Sequence, residues 1–157
     1  MKVIVLIISL FMSAENKMFS QSALFIYEYH DDQSKSGRFV FRDPGGDFSF
    51  ESSASAGFEN SSNNPYMQTI KDYGPIPFGK WKISSVKRRD LAIFRLTPDE
   101  GVITGGRDGF LIHGSNENGP TESSEGCIIL DPNSRKLLLQ AFDKYGAITL
   151  EVTNRIY

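Results

Sequence analysis

The sequence predicts a mainly β domain with one helix of about 14 residues near its C-terminus, and three observations carry that expectation. Twelve phenylalanines, six tyrosines and fourteen glycines among 157 residues favour short strands joined by turns. Apolar residues alternate along several short segments, whereas helical spacing recurs convincingly over only one, between Asp131 and Gly146. No composition shift, internal repeat or low-complexity tract marks a second unit, so one folded domain is expected over 23–157. A chain of this size buries about two-thirds of its unfolded surface, enough for a real core.

The first 22 residues stand apart. Met1-Lys2 precedes Val3 to Met12, an apolar run broken only by Ser9, and small residues follow at Ala14, Ser20, Ser22 and Ala23. That pattern resembles a secretory signal peptide, with cleavage after Ala14 or Ser22; the alternative is a non-native extension with Met18 as the true start. Ten apolar residues are too few for the roughly 20 needed to span a bilayer, so no permanent membrane span is expected.

Leu24 to Tyr29 and Arg38 to Arg42 read as a hairpin turned at Ser34 to Gly37, with Phe48 to Phe50 as a third strand. Ser52 to Pro65, rich in Ser, Asn and Gly, reads as a surface loop, and Gly74 to Gly79 as a rigid turn. Trp81 and Ile83 share one strand face while Lys80 and Lys82 take the other; Ala92, Phe94 and Leu96 repeat the pattern. Phe110 to His113 and Cys127 to Leu130 read as short buried strands on either side of the polar stretch Gly114 to Gly126. In the helix, Asp131 is a suitable N-cap and Pro132 a suitable first residue. Leu138, Ala141, Phe142 and Tyr145 form the apolar stripe, Lys144 sits in the last turn and Gly146 stops it. Ile148 to Val152 supplies a final strand.

Charge excludes one class of partner. Seventeen basic residues against nineteen acidic ones, with no like-charge run longer than Lys87-Arg88-Arg89, argue against nucleic acid. Two histidines far apart and a single cysteine offer no metal-ligand spacing, and no glycine-rich phosphate loop is present. No cofactor or metal is therefore expected.

The single cysteine, Cys127, cannot form an internal disulfide. In an exported chain that leaves pairing between molecules or a free thiol with a use. A thiol becomes a good nucleophile when a neighbouring imidazole accepts its proton. Of the two histidines, His30 precedes Asp31-Asp32 in an expected turn and reads as a solvated polar residue, whereas His113 ends an apolar strand. Gly126, directly ahead of Cys127, lets the backbone approach a substrate, and the Gly126 and Cys127 N–H groups are candidates for an oxyanion hole. A buried cysteine is ordinarily a small core residue and a strand-end histidine ordinarily structural, so this pair alone does not define an enzyme.

His113-Gly114-Ser115 followed by Ser124-Glu125-Gly126-Cys127-Ile128 resembles the His-Gly and Ser-x-Gly-Cys signature of L,D-transpeptidase catalytic domains. Further blocks stand in order upstream: Asn63 to Gln68, Gly74-Pro75-Ile76-Pro77-x-Gly79, Arg95-Leu96-Thr97-Pro98 and Gly109 to Gly114. Together they resemble the type VI secretion L,D-transpeptidase effector family, from about Leu24 to about Val152. The resemblance implies an L,D-transpeptidase-like β-sandwich or barrel acting on peptidoglycan peptide stems at the diaminopimelate to D-alanine bond. It implies Cys127 as nucleophile and His113 as base, with Gly126 in the oxyanion hole and Ser124 shaping the site. Gly114, Ser115, Glu125 and Arg107 are candidates for substrate contact, Arg107 through its planar fork; the alternative for Arg107 is a surface ion pair with Asp108 or another acid.

Many transpeptidases carry a histidine where this chain has Glu125 and an arginine where it has Ile129, which favours carboxypeptidase or exchange activity over cross-linking. The expected place of action is periplasmic or secreted, reached through the leader or by delivery into a target cell, and delivery implies an immunity protein in the producer. Two other classes stay open: a non-catalytic cell-wall-binding β module, and a cysteine amidohydrolase acting on another substrate.

Overall fold

A computed structural model describes residues 21–32, 34–115 and 124–156. The expected leader therefore lies outside the described residues, apart from Gln21 and Ser22. Eight strands form a closed barrel: β1 (Ser22–Tyr29), β2 (Lys35–Arg42), β3 (Ser49–Ala56), β4 (Gly79–Arg88), β5 (Ile93–Pro98), β6 (Leu111–His113), β7 (Ile128–Leu130) and β8 (Ile148–Ile156). One helix, α1 (Pro132–Tyr145), lies between β7 and β8, so the mainly β class with a C-terminal helix is what is found. Around the barrel the order is β1-β2-β3-β7-β6-β5-β4-β8, with β1–β8 and β6–β7 as the two parallel pairings. Among the described residues no helix is long and apolar enough to cross a membrane.

Period-two alternation fills the interior. Phe25 and Tyr27, Phe39 and Phe41, Trp81 and Ile83, Phe94, Ile112, Ile128 and Leu150 are all buried on the inward face. The outer face of β1, β2, β3, β7 and β6 is where polar groups and the candidate site residues collect.

Local chemistry sets α1. The Asp131 carboxylate accepts from the Asn133 and Ser134 N–H groups at 2.8 and 3.0 Å and from the Ser52 hydroxyl at 2.8 Å. At the other end Gly146, at φ 82, donates its N–H to Phe142 O at 2.8 Å. Burial works against the Asp131 charge, but hydrogen bonds from Ser134, Ser52 and Asn133 outweigh it and hold the carboxyl at about 2. A depressed carboxylate stabilises the fold above its unfolded pKa of about 4, and that contribution fades as pH falls toward 2. Asp131→Ala is expected to lower stability by about 1–2 kcal/mol at neutral pH. Denaturant melts at pH 7 and pH 3 check this, because the deficit should narrow in acid.

Three expectations need correcting. Ser36 and Gly37 belong to β2, and the hairpin turns before them, with Asp31 and Asp32 in the turn. Gly37 is a glycine because a Cβ there would lie 2.5 Å from Ala54 O and 2.9 Å from Asn63 Oδ1: the constraint is close approach of strands rather than turning. Ser52 to Ala56 is not loop but the second half of β3, which pairs with both β2 and β7. Its Ala54 and Ala56 are small enough for a crowded interior, while Ser53 faces outward. Only 57–65 of that stretch lies outside strands, including a 3-10 turn at Glu59–Ser61. Finally, 74–77 is an irregular segment held by side chains rather than by its own turn, with Tyr27 donating to Ile76 O at 2.5 Å.

Candidate active site

β6 and β7 run parallel, with Ile112 beside Ile128 and His113 beside Ile129. Alternation turns Ile112 and Ile128 into the core, so His113, Ile129 and Cys127 share the outer face. Cys127 lies one strand over and two residues along from His113. That is roughly 8 Å between Cα atoms by strand spacing and rise, a gap that an imidazole and a thiol leaning together can span. Both residues are half-buried. The imidazole–thiol hydrogen bond is not formed in this state; such contacts commonly tighten only when substrate binds.

His113 Nδ1 lies 2.5 Å from Gly114 O. A carbonyl oxygen only accepts, so Nδ1 carries the proton and Nε2 holds the free lone pair. The group holding the imidazole in this orientation is thus the Gly114 carbonyl.

Cys127 follows a tight loop whose fold is set by Ser124. The Ser124 hydroxyl donates to Cys127 O at 2.5 Å and accepts from Gly57 N–H at 3.2 Å, while Ser124 N–H reaches Gly57 O at 2.8 Å. These bonds pin both ends of Ser124–Cys127 beside the end of β3. Glu125 projects to solvent and Gly126 is buried at φ 110, a conformation open to glycine. A Cβ on Gly126 would also meet Arg107 Nη1 and Phe110 Cε1, each at 2.9 Å.

Arg107 therefore has a different place from the one expected. It is 9% exposed, and its guanidinium donates to Gly74 O at 2.7 Å, Pro75 O at 2.9 Å, Thr104 O at 3.2 Å and also Gln68 O. Neither a substrate fork nor an ion pair with Asp108 is what the geometry provides. The cation stacks 5.1 Å from the Phe110 ring and forms part of the bed on which Gly126 rests. Burial draws its pKa down, against Tyr27 and Asp72, which act upward. Three of its four partners are backbone carbonyls more than thirty residues away, so no sequence signal marked them.

Burial pushes the Cys127 thiol up; the Leu111 N–H opposes that, the Glu125 carboxylate adds to it, and Lys87 opposes it more weakly. That direction favours the protonated thiol at neutral pH. Removing the Glu125 charge should make the thiolate easier to form. Glu125→Gln is expected to shift the pH midpoint of Cys127 alkylation by iodoacetamide downward, and an unmoved or higher midpoint would contradict this electrostatic account.

Beyond His113 the outer face opens into a groove of about 840 Å³. Gly114 and Ser115, which follow His113 in the chain, line it together with Ser55, Ile129, Arg38 and the carboxylate residues Glu28 and Asp131, whereas His113 and Cys127 themselves do not. Arg135, on the first turns of α1, also lines it and was not singled out from sequence, where it read as an ordinary helix-surface charge. Among the described residues no group of three or more His, Cys, Asp or Glu side chains is arranged to hold a metal ion.

No curated protein is similar in sequence. Among solved structures, the crystal structure of Mycobacterium tuberculosis L,D-transpeptidase 1 matches at 15% identity and a TM-score of 0.41, over 83% of this chain. The match takes in 62% of that enzyme's length, and a likeness this slight supports no argument. The Tlde1 domain model matches residues 51–153, which take in β4 to β7, α1, the first part of β8, His113 and the whole Ser124–Cys127 loop. The chain belongs to the Tlde1 domain family, the type VI secretion L,D-transpeptidase effectors.

Proposed function

We propose that this protein is a cysteine-dependent acyl-transfer enzyme that opens the diaminopimelate to D-alanine bond of peptidoglycan stems. Family membership supports a peptidoglycan-modifying, transpeptidase-like effector. The observation that carries the finer reading is the placement of His113 and Cys127 on one outer face, with Nδ1 bonded to Gly114 O so that Nε2 is left to take the thiol proton.

On this reading Nε2 removes the proton as Sγ attacks the diaminopimelate carbonyl, and N–H groups of Gly126 and Cys127 receive the negative charge on its oxygen. The C–N bond then breaks, the imidazolium returns its proton to the departing D-alanine amine, and a thioester remains on Cys127. Water resolves it to a shortened stem, a D-amino acid resolves it by exchange, and a second stem amine resolves it by cross-linking. Glu125 and Ile129 stand where other transpeptidases carry basic residues, and we assign the main outcome to hydrolysis or exchange. The site of action is the periplasm, reached through a leader or by delivery; an immunity gene beside this one would support delivery.

Mass spectrometry of tetrapeptide muropeptides incubated with the protein tests this. Loss or exchange of D-alanine is expected, and unchanged muropeptides would sink the proposal.

A further inference from the structure

We propose that Arg135 is the carboxylate-binding residue of this active site, anchoring an anionic group of the peptide stem at the His113 end of the groove. This inference rests on the acyl-transfer reading above.

Arg135 Nε donates to Leu130 O at 3.2 Å and Nη1 to Leu91 O, so two nitrogens of the fork are tied to backbone carbonyls and hold the guanidinium still. The third nitrogen, Nη2, lies 2.6 Å from where a Cβ on Gly114 would stand, with Cζ at 3.0 Å. Gly114 is a glycine at this point because the guanidinium fills its side-chain space. The edge carrying Nη2 is thereby placed against the residue that orients His113, on the wall of the groove.

The charge state makes this placement informative. Arg135 is half-buried, and burial draws its pKa down; Asp131, one turn earlier, acts weakly the other way. Among the described residues no carboxylate lies within ion-pair distance of it, whereas Arg38 at the far end pairs with Glu28 and Glu51. A cation that is partly desolvated, fixed by neutral carbonyls and lacking a counter-ion is prepared for an anion from outside.

The groove also has the right course for an acidic peptide. Ser55 sits beside Ile129 and Ile129 beside His113, so its floor continues the catalytic face across neighbouring strands. A stem with its reacting carbonyl at Cys127 that follows this face past His113 comes to Gly114 and Arg135 about three strand residues along, roughly 10 Å away. Peptidoglycan stems carry carboxylates at that range on diaminopimelate and on the preceding D-glutamate, and both can be amidated without changing the scissile bond.

The test uses three tetrapeptide muropeptides: both carboxylates free, only D-glutamate amidated, and only diaminopimelate amidated. In the wild type one amidation is expected to lower kcat/KM about 10- to 100-fold, as for a lost charge-assisted hydrogen bond. In Arg135→Gln that penalty should vanish while the free substrate falls to the level of the amide, and in Arg135→Lys much of the penalty should persist. The amidation concerned identifies the carboxylate. Equal turnover of all three by the wild type, or an undiminished penalty in Arg135→Gln, would overturn the proposal. If Arg135→Gln does not fold, Arg135→Lys decides: a smaller penalty than in the wild type supports the anchor and an equal one refutes it. Absence of turnover on any substrate by the wild type would instead count against the acyl-transfer reading.

Discussion

Cys127→Ala is expected to abolish D-alanine release, lowering turnover at least about a thousandfold while leaving the barrel intact. The chain contains no second cysteine to substitute. The Ser124 hydroxyl is occupied in bonds to Cys127 O and Gly57 N–H, which keep the loop in shape rather than present an oxygen to substrate. Trimming a half-buried thiol to a methyl removes little packing, so the thermal midpoint should move by only a few degrees. Turnover assays and melting curves on the same preparation separate lost chemistry from lost fold. Retained turnover with the fold intact would favour a binding module over an enzyme.

His113→Gln is expected to lower turnover at pH 7 by about a hundred- to ten-thousandfold, the range ascribed to a positioned general base. Its pH dependence is the more telling part. With the thiol raised by burial and by Glu125, very little thiolate exists at neutral pH without a base. Hydroxide must then supply it, and the residual rate of the variant should climb about tenfold per pH unit from 7 until the thiol itself ionises. The wild type, drawing on the imidazole, should climb far less over that range. A His113→Gln rate that stays flat with pH would assign the histidine a structural role.

How much of this was legible depended on whether the cause was local. Helix α1 could be read residue by residue, because Asp131, Pro132 and Gly146 act on neighbouring backbone groups. Inward alternation on β1, β4 and β5 was equally visible in Tyr27, Trp81 and Phe94. The errors fell where a residue type answered to something distant. Gly37 looked like a turn but makes room for Ala54 O, and the Ser-Ala run of β3 looked like a loop because a crowded barrel wall there accepts only small side chains.

The candidate site divides in the same way. Cys127 and His113 were singled out as candidates from their neighbours and the family resemblance, but their sharing one outer face depends on the parallel β6–β7 pairing, which nothing in the intervening sequence announces. Arg107 was visible as a charge and misplaced, since three of its four partners are backbone carbonyls far off in the chain, at Gln68, Gly74 and Pro75. Arg135 was passed over because an arginine one turn into a helix looks like a solvated charge until the packing against Gly114 is seen.

The central claim is that Cys127 carries the stem as a thioester. Intact-mass spectrometry of protein mixed with a tetrapeptide muropeptide and quenched in acid within seconds tests it most directly. The account predicts an added mass equal to the muropeptide less D-alanine, mapped to Cys127 and absent from Cys127→Ala. Release of D-alanine with no adduct at Cys127, and at the same rate in Cys127→Ala, would contradict it.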